Sequence, residues 1–241
     1  MQLFYCKEII PDGFCTLDAE ESRHAIRVLR MREGDEINVT DGRGNLYQCK
    51  IVTADDRTCI VEVAGQESAT LHSPLSTLHL AVAPTKNPAR MEWLVEKAVE
   101  MGVGEITLLQ CDHSERSFLK TDRLEKLAIS AMKQSLHLTL PKINPAVKLS
   151  DWLHTEFRIP NSELKLIAHC EAGQPRISLR EALKPGMDTL VLIGPEGDFS
   201  QEEIALALKY DFQPVSFGTA RMRTETAALY AVAAFNFINE K

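Results

Sequence analysis

Apolar and polar residues alternate through Glu36 to Thr40, Tyr47 to Val52 and Thr58 to Val63, the two-residue period of half-buried strands. The DGRG at Asp41 to Gly44 supplies a hairpin turn between the first two, and Asp55, Asp56 and Arg57 close a second hairpin. Leu3 to Tyr5 reads as one more strand. Asp18 to Leu29 has helical spacing instead, with Asp18 as N-cap and Glu21 placed three residues on to complete a capping box. The pattern predicts a small β barrel or β-rich module with one short helix over residues 1–70.

Gln66 to Ser76 is polar and contains Pro74, which marks a domain boundary. From residue 71 to 241 the period changes. Leu78 to Ala83, Ile106 to Leu109, Leu164 to Cys170 and Thr189 to Ile193 are short apolar runs, as expected of strands buried on both faces of a parallel sheet. Between and after them Arg90 to Met101, Arg123 to Leu138, Gln201 to Tyr210 and Glu225 to Asn239 have helical spacing, the first ending at Gly102. The second domain is therefore expected to be α/β with a mostly parallel sheet, and its ligand should sit beyond the carboxyl ends of the strands.

Composition changes this picture little: 44% apolar and 25% charged residues in 241 suit a globular chain with a real core. The longest nearly apolar stretch, Ala227 to Ile238, is too short to span a bilayer. The opening MQLFYCKEII lacks a basic region and long apolar run, so a cytoplasmic protein with no secretory signal is expected. The six cysteines and seven histidines are scattered without ligand spacing, which predicts buried free thiols and no metal. A net charge of −7 counts against indiscriminate nucleic-acid binding. Locally the balance reverses, because Arg23, His24, Arg27, Arg30 and Arg32 crowd into ten residues and can form a basic face or a solvated helix flank.

Three strings carry candidate chemistry. IGPEGDFSQEEI, Ile193 to Ile204, runs from a buried strand through a glycine-rich turn into a helix opened by a Ser200 and Glu203 capping box. Such a turn exposes backbone amides at a helix start, a binding site for a polar ligand. FGTARMRTETA, Phe217 to Ala227, follows a short strand at Pro214 to Ser216. It puts Gly218 at a tight turn, Arg221 and Arg223 on a loop, Thr224 at a candidate N-cap and Glu225 in the first helical turn. PTKNPARMEWLVEKAVEMGV, Pro84 to Val103, places Lys86 and Arg90 ahead of an amphipathic helix. Neither a GxGxxG after the first strand nor a GxxxxGK[ST] is present, so a dinucleotide fold and a P-loop are unsupported.

These strings, in this order after a β-rich domain, with HAIRVLRMREGD at His24 to Asp35 and HSERS at His113 to Ser117, resemble the bacterial 16S (small-subunit) ribosomal RNA uridine-N3 methyltransferases, family E of that set, within the SPOUT superfamily. The resemblance covers nearly the whole chain. It implies a PUA-like β-barrel RNA-binding domain at the N-terminus and an α/β domain whose C-terminal segment is tied in a deep trefoil knot, an exception to unknotted topology. It also implies S-adenosylmethionine as cofactor, a homodimer, and small-subunit ribosomal RNA or the assembled small subunit as partner.

Carried over by position, the cofactor pocket would be lined by His169, Ile193, Gly194, Glu196, Gly197, Phe217, Gly218, Met222, Arg223 and Thr226. The catalytic candidates are Arg223, holding either the methionine carboxylate or the target base, with Glu196 and Glu225 as alternative bases. RNA would meet Arg23, Arg27, Arg30, Arg32, Lys86, Arg90, Arg116 and Arg221. The chain departs from the family pattern after Gln134 and Ser135, where Leu136 and His137 replace the usual glycine and arginine; His137 or Lys133 would then substitute for that arginine. Two other classes compete: a nucleotide- or phosphate-binding enzyme using the same glycine loops, and a non-catalytic ribosome-binding protein working through its first domain.

Overall fold

A computed structural model of the chain describes residues 2–10, 13–67, 76–115, 120–155, 163–171, 173 and 175–240. It divides into two compact units, Met1–Ser73 with Ile129–Leu140, and Pro74–Ala128 with Pro141–Lys241. Most of the expected linker, 68–75, lies outside the described residues.

The first unit is built on a curled sheet of β1 (Leu3–Tyr5), β2 (Phe14–Thr16), β3 (Glu36–Thr40), β4 (Leu46–Thr53) and β5 (Ile60–Glu67), in the order β1-β3-β4-β5-β2. Only β1 and β3 run parallel. Alternation turns Tyr47, Cys49 and Ile51 of β4 inward onto Phe4, Leu17, Val39 and Val61. Among the described residues no ladder joins the edge strands β1 and β2, so the predicted barrel is open along that seam, where the Cys6 thiol donates to the Thr16 carbonyl at 3.5 Å. Four free cysteines, Cys6, Cys15, Cys49 and Cys59, are buried in this unit, and burial pushes the Cys49 thiol up to about 11, which keeps it unreactive at neutral pH.

The DGRG turn forms as expected and does more than reverse the chain. Asp41 accepts from the Arg43 backbone N–H at 2.8 Å, while the segment ending at Leu140 lies against the turn through Leu140 N–H to the Gly42 carbonyl, 2.8 Å, and Gly44 N–H to the Leu138 carbonyl, 2.9 Å. Gly42 has φ +71°, and a Cβ there would meet the Tyr5 ring at 3.0 Å and Leu140 at 3.1 Å.

Asp18 caps helix α1 (Ala19–Arg23), accepting from Glu20 and Glu21 N–H. The predicted capping box does not form. Glu21 is buried, accepts from the Tyr5 N–H at 3.4 Å and pairs with Lys133, which offers its carboxylate more than a helix end does. The helix also stops early, giving way to a π-helical turn at His24–Val28.

The second unit holds β6 (Leu78–Val82), α2 (Pro88–Glu100) and β7 (Glu105–Gln110). Helix α3 (Thr121–Gln134), shared between the units, is followed by β8 (Lys142–Lys148), α4 (Leu149–His154), β9 (Leu164–Ala168), β10 (Ile177–Ser178) and α5 (Leu179–Ala182). The chain ends through β11 (Thr189–Ile193), α6 (Gln201–Lys209), β12 (Gln213–Ser216) and α7 (Thr224–Asn239). The strands form one all-parallel sheet, β10-β12-β9-β11-β6-β7-β8. Its middle strands β6 and β11 are buried at every residue, as their unbroken apolar runs imply. Four elements of this unit escape the sequence pattern: β8, an edge strand interrupted by Pro145, and the short α4, β10 and α5. No helix among the described residues is long and apolar enough to cross a membrane.

Candidate functional site

Because β6, β11, β9 and β12 are parallel neighbours, the chain leaves all four at one edge of the sheet. β11 lies between β9 and β6, yet the next strand, β12, is on the far side of β9. This reversal brings the predicted strings together: Ala83 to Asn87 after β6, His169 and Cys170 after β9, Gly194 to Phe199 after β11, and Phe217 to Arg223 after β12.

Side chains lock these loops to one another. Asp198, at φ +64°, accepts from the Cys170 N–H at 2.6 Å and from its neighbour Phe199 N–H at 2.9 Å, fastening the β9 exit to the β11 exit. His113, after β7, approaches the Gly197 and Asp198 carbonyls at 3.1 Å through Nδ1. Gly197 permits this close approach, since a Cβ there would lie 3.0 Å from that of His113 and one of the two would have to give. Ser200 and Glu203 form the predicted capping box and also engage the β7 exit: the Ser200 hydroxyl donates to Asp112 at 2.7 Å, and Glu203 accepts from the Asp112 N–H at 3.0 Å.

Thr224 departs from expectation. The N-cap of α7 is Arg223, with no side-chain cap, and the Thr224 hydroxyl donates instead to the Gly194 carbonyl at 3.0 Å, tying the β12 exit to the β11 exit. A buried carbonyl in need of a donor outweighs a helix end that Glu225 already favours in its first turn. Sequence reasoning missed Asp198, His113, Asp112 and this role of Thr224. Two left a signal: Asp198, an aspartate following glycine in a tight turn, where the left-handed conformation is tolerated, and His113, which opens the HSERS string.

Two buried side chains beside these exits in sequence are incompletely paired. His169 is buried at the carboxyl end of β9 with neither ring nitrogen hydrogen bonded. Burial holds its pKa below the ordinary value against the opposing pull of Asp198, so the ring is neutral at pH 7. Glu225 is buried in the first turn of α7; Oε1 lies 3.5 Å from Arg90 Nε and Oε2 has no partner. Gly218 stands at φ +106° with open space beside it, and the residues from it to Arg221 are exposed. Phe217 packs on Tyr230, ring centroids 5.4 Å apart. Ile193 is buried, Met222 half-buried, and Arg223 and Thr226 exposed.

The other expected residues are less uniform. Glu196 accepts from the Lys86 backbone N–H at 3.0 Å, and the Lys86 ammonium is paired with Glu115 at 2.7 Å. Arg90 is engaged with Glu225, whereas Arg221 and Arg223 make no ion pair among the described residues. Arg23, Arg27, Arg30 and Arg32 are exposed on the first unit, Arg27 paired with Asp56. Arg116 lies outside the described residues. No group of three or more His, Cys, Asp or Glu suited to a metal occurs among them.

A family model described as an RNA methyltransferase domain matches residues 72–236, and one described as an RNA methyltransferase PUA domain matches residues 17–64. The chain is 30% identical to the ribosomal RNA small subunit methyltransferase E of Aquifex aeolicus over 97% of its own length and 98% of that protein's. The crystal structure of a probable rRNA-methyltransferase from Porphyromonas gingivalis superposes with a TM-score of 0.89 at 42% identity, covering 99% of this chain and 98% of that one. That of a ribosomal RNA small subunit methyltransferase E from Neisseria gonorrhoeae, bound to S-adenosyl methionine, does so with a TM-score of 0.81 at 26% identity, covering 98% and 97%.

Proposed function

The chain belongs to the RNA methyltransferase domain family and carries that family's PUA domain, and from this premise we propose that it methylates N3 of a uridine in 16S ribosomal RNA within the assembled small subunit, using S-adenosylmethionine. The observation that carries the proposal is the joining of the β9, β11 and β12 exit loops by hydrogen bonds, the first of them carrying a buried histidine with two unpartnered ring nitrogens. A neutral, orphaned imidazole beside exposed backbone suits a ligand that is recognised by hydrogen bonds rather than by charge. The residues present therefore fit the cofactor: His169, Ile193, Gly194, Glu196, Gly197, Phe217, Gly218, Met222, Arg223 and Thr226 would line it. Bound there, it supplies an electrophilic methyl group.

The protein's own part is to deprotonate and aim the uridine. N3 becomes nucleophilic when its imide proton leaves, and alignment with the methyl accounts for much of the acceleration in such a displacement. Of the two candidate bases Glu225 is favoured, because its Oε2 is unspent while Glu196 is engaged by the Lys86 N–H. Arg223 offers an unpaired guanidinium at the same edge, for the methionine carboxylate or for the uridine anion. Arg223→Ala separates these roles: a weaker cofactor Kd assigns it to the carboxylate, and an unchanged Kd with lower kcat assigns it to the base.

The same reading makes residues 1–70 an RNA-binding module in a cytoplasmic enzyme. It makes residues 71–241 a methyltransferase domain whose C-terminal segment is tied in a deep trefoil knot, in keeping with β12 lying beyond β9 and with α7 packing on β6, β11 and α2. It also predicts a homodimer, since Thr226, Tyr230, Ala233 and Phe237 leave one face of α7 exposed, with Phe237 79% accessible and Trp93 of α2 47%. Sedimentation tests the dimer.

The decisive experiment incubates undermodified small subunits, and separately their naked RNA, with the protein and S-adenosylmethionine, then analyses nucleosides by mass spectrometry. Appearance of 3-methyluridine in subunits supports the whole proposal. A cofactor-binding protein that yields none loses this substrate, and a protein that binds no cofactor loses the reaction.

A further inference from the structure

The π-helical turn at His24–Val28 changes which side chains of the first unit face outward. Ser22 and Ala25 are buried, and an α-helix continuing at that spacing would turn Leu29 inward with them. The wider turn closes instead through Leu29 N–H to the His24 carbonyl at 3.0 Å, and the chain reverses at Arg30, φ +58°. Met31 N–H then reaches back six residues to the Ala25 carbonyl at 3.0 Å. Ile26 and Met31 pack against the core, while Val28 is left 63% and Leu29 40% exposed. π turns are frequent at functional sites, and this one leaves a protruding aliphatic pair of which a regular helix would have hidden Leu29.

The charges flanking this pair indicate its partner. Arg23, Arg27, Arg30 and Arg32 are all exposed within ten residues of chain; Arg27 is paired with Asp56, and the other three make no ion pair among the described residues. Asp35 accepts from the Arg32 backbone N–H rather than from its guanidinium. An exposed apolar pair flanked along the chain by exposed arginines that make no ion pair among the described residues suits a polyanion that also presents apolar faces, which is nucleic acid with an accessible base step.

We propose that Val28 and Leu29 form a wedge that packs against unstacked bases or ribose of ribosomal RNA, while Arg23, Arg30 and Arg32 hold the flanking phosphates. The inference rests on the RNA substrate proposed above and adds the element that reads RNA shape. The two contributions have different salt dependence. Phosphate contacts release counterions, so each arginine removed should lower the slope of log affinity against log salt by about 0.7 to 1. The wedge releases none, so its removal should leave the slope unchanged.

The test uses the full-length protein and undermodified small subunits. Val28→Ser with Leu29→Ser should raise KM for subunits about tenfold, with kcat, cofactor affinity and salt slope unchanged. Arg30→Gln should lower the slope. A photoreactive benzophenone side chain in place of Val28 should crosslink to ribosomal RNA. Unchanged KM in the double variant overturns the wedge, as does crosslinking to ribosomal protein alone. Failure of the unaltered protein to methylate subunits would instead remove the substrate reading on which the wedge depends.

Discussion

Gly194→Ala should weaken cofactor binding far more than it weakens the fold. The added methyl would lie 3.1 Å from Cδ2 and Cε2 of the Phe199 ring and 3.3 Å from its backbone nitrogen. Carbon atoms in good contact sit about 3.5 to 4.0 Å apart, so the overlap is about half an ångström. Phe199 is buried among Leu109, Trp152, Leu192, Ile204 and Phe212 and has little room to retreat. Overpacking of this kind costs about 1 to 3 kcal/mol, from which roughly 0.4 to 1 kcal/mol is recovered because alanine has less freedom than glycine in the unfolded chain. The net loss is about 1 kcal/mol. The loop, however, must relieve the overlap by moving, and it is the segment that Thr224 and Asp198 fix to the neighbouring loops. S-adenosylmethionine affinity should therefore fall about tenfold, equivalent to about 1.4 kcal/mol. Gly186→Ala is the matched control: Gly186 has φ +78° with nothing crowding its Cβ position and precedes the amino end of β11, so its cost of about 1 kcal/mol is conformational and remote. Urea unfolding gives the stabilities and calorimetric titration the affinities. If the two variants are equally destabilised and bind S-adenosylmethionine equally well, the argument that Gly194 shapes the site is wrong.

Thr224→Val keeps the side-chain shape but leaves the Gly194 carbonyl without its donor, at a cost of about 1 to 3 kcal/mol in urea unfolding; Thr224→Ser should restore most of it. Glu225→Gln should lower single-turnover methylation of subunits while leaving cofactor affinity within about twofold, below 1 kcal/mol, and equal rates would remove Glu225 as the base. Stability should also depend on His79, whose pKa burial lowers to about 4 despite the nearby Glu105 carboxylate. The unfolded chain takes up the proton near pH 6.5, before the folded one, so stability present above that pH is lost as pH falls toward 4, by about 3 kcal/mol at most. His79→Leu should flatten that part of the pH profile of the urea midpoint; an unchanged slope would mean that other groups set it.

Local rules were sufficient wherever a few neighbouring residues settle the matter. The unbroken apolar runs of β6 and β11 announced a parallel sheet covered on both faces. Asp18 and Ser200 announced helix starts, and the glycine strings announced loops that leave buried strands. The sequence by itself thus determined the two-part character of the chain, the class of each part and the strings from which a site would be made. Only the tertiary structure decided how those strings are used. Strand order put four loop exits at one edge, bringing Asp198 to Cys170 and Thr224 to Gly194 across 28 and 30 residues of chain. Competition for partners then settled what pattern could not. Glu21 meets Lys133 across 112 residues and abandons the helix end it was placed to cap, and Leu29 is turned outward by a π turn that spacing did not foresee. For Glu21 and Thr224 the physical reason is the same: a helix cap is worth about 1 kcal/mol and is visible locally, whereas a buried charge or carbonyl left unpaired costs more. Its partner is chosen from the whole fold.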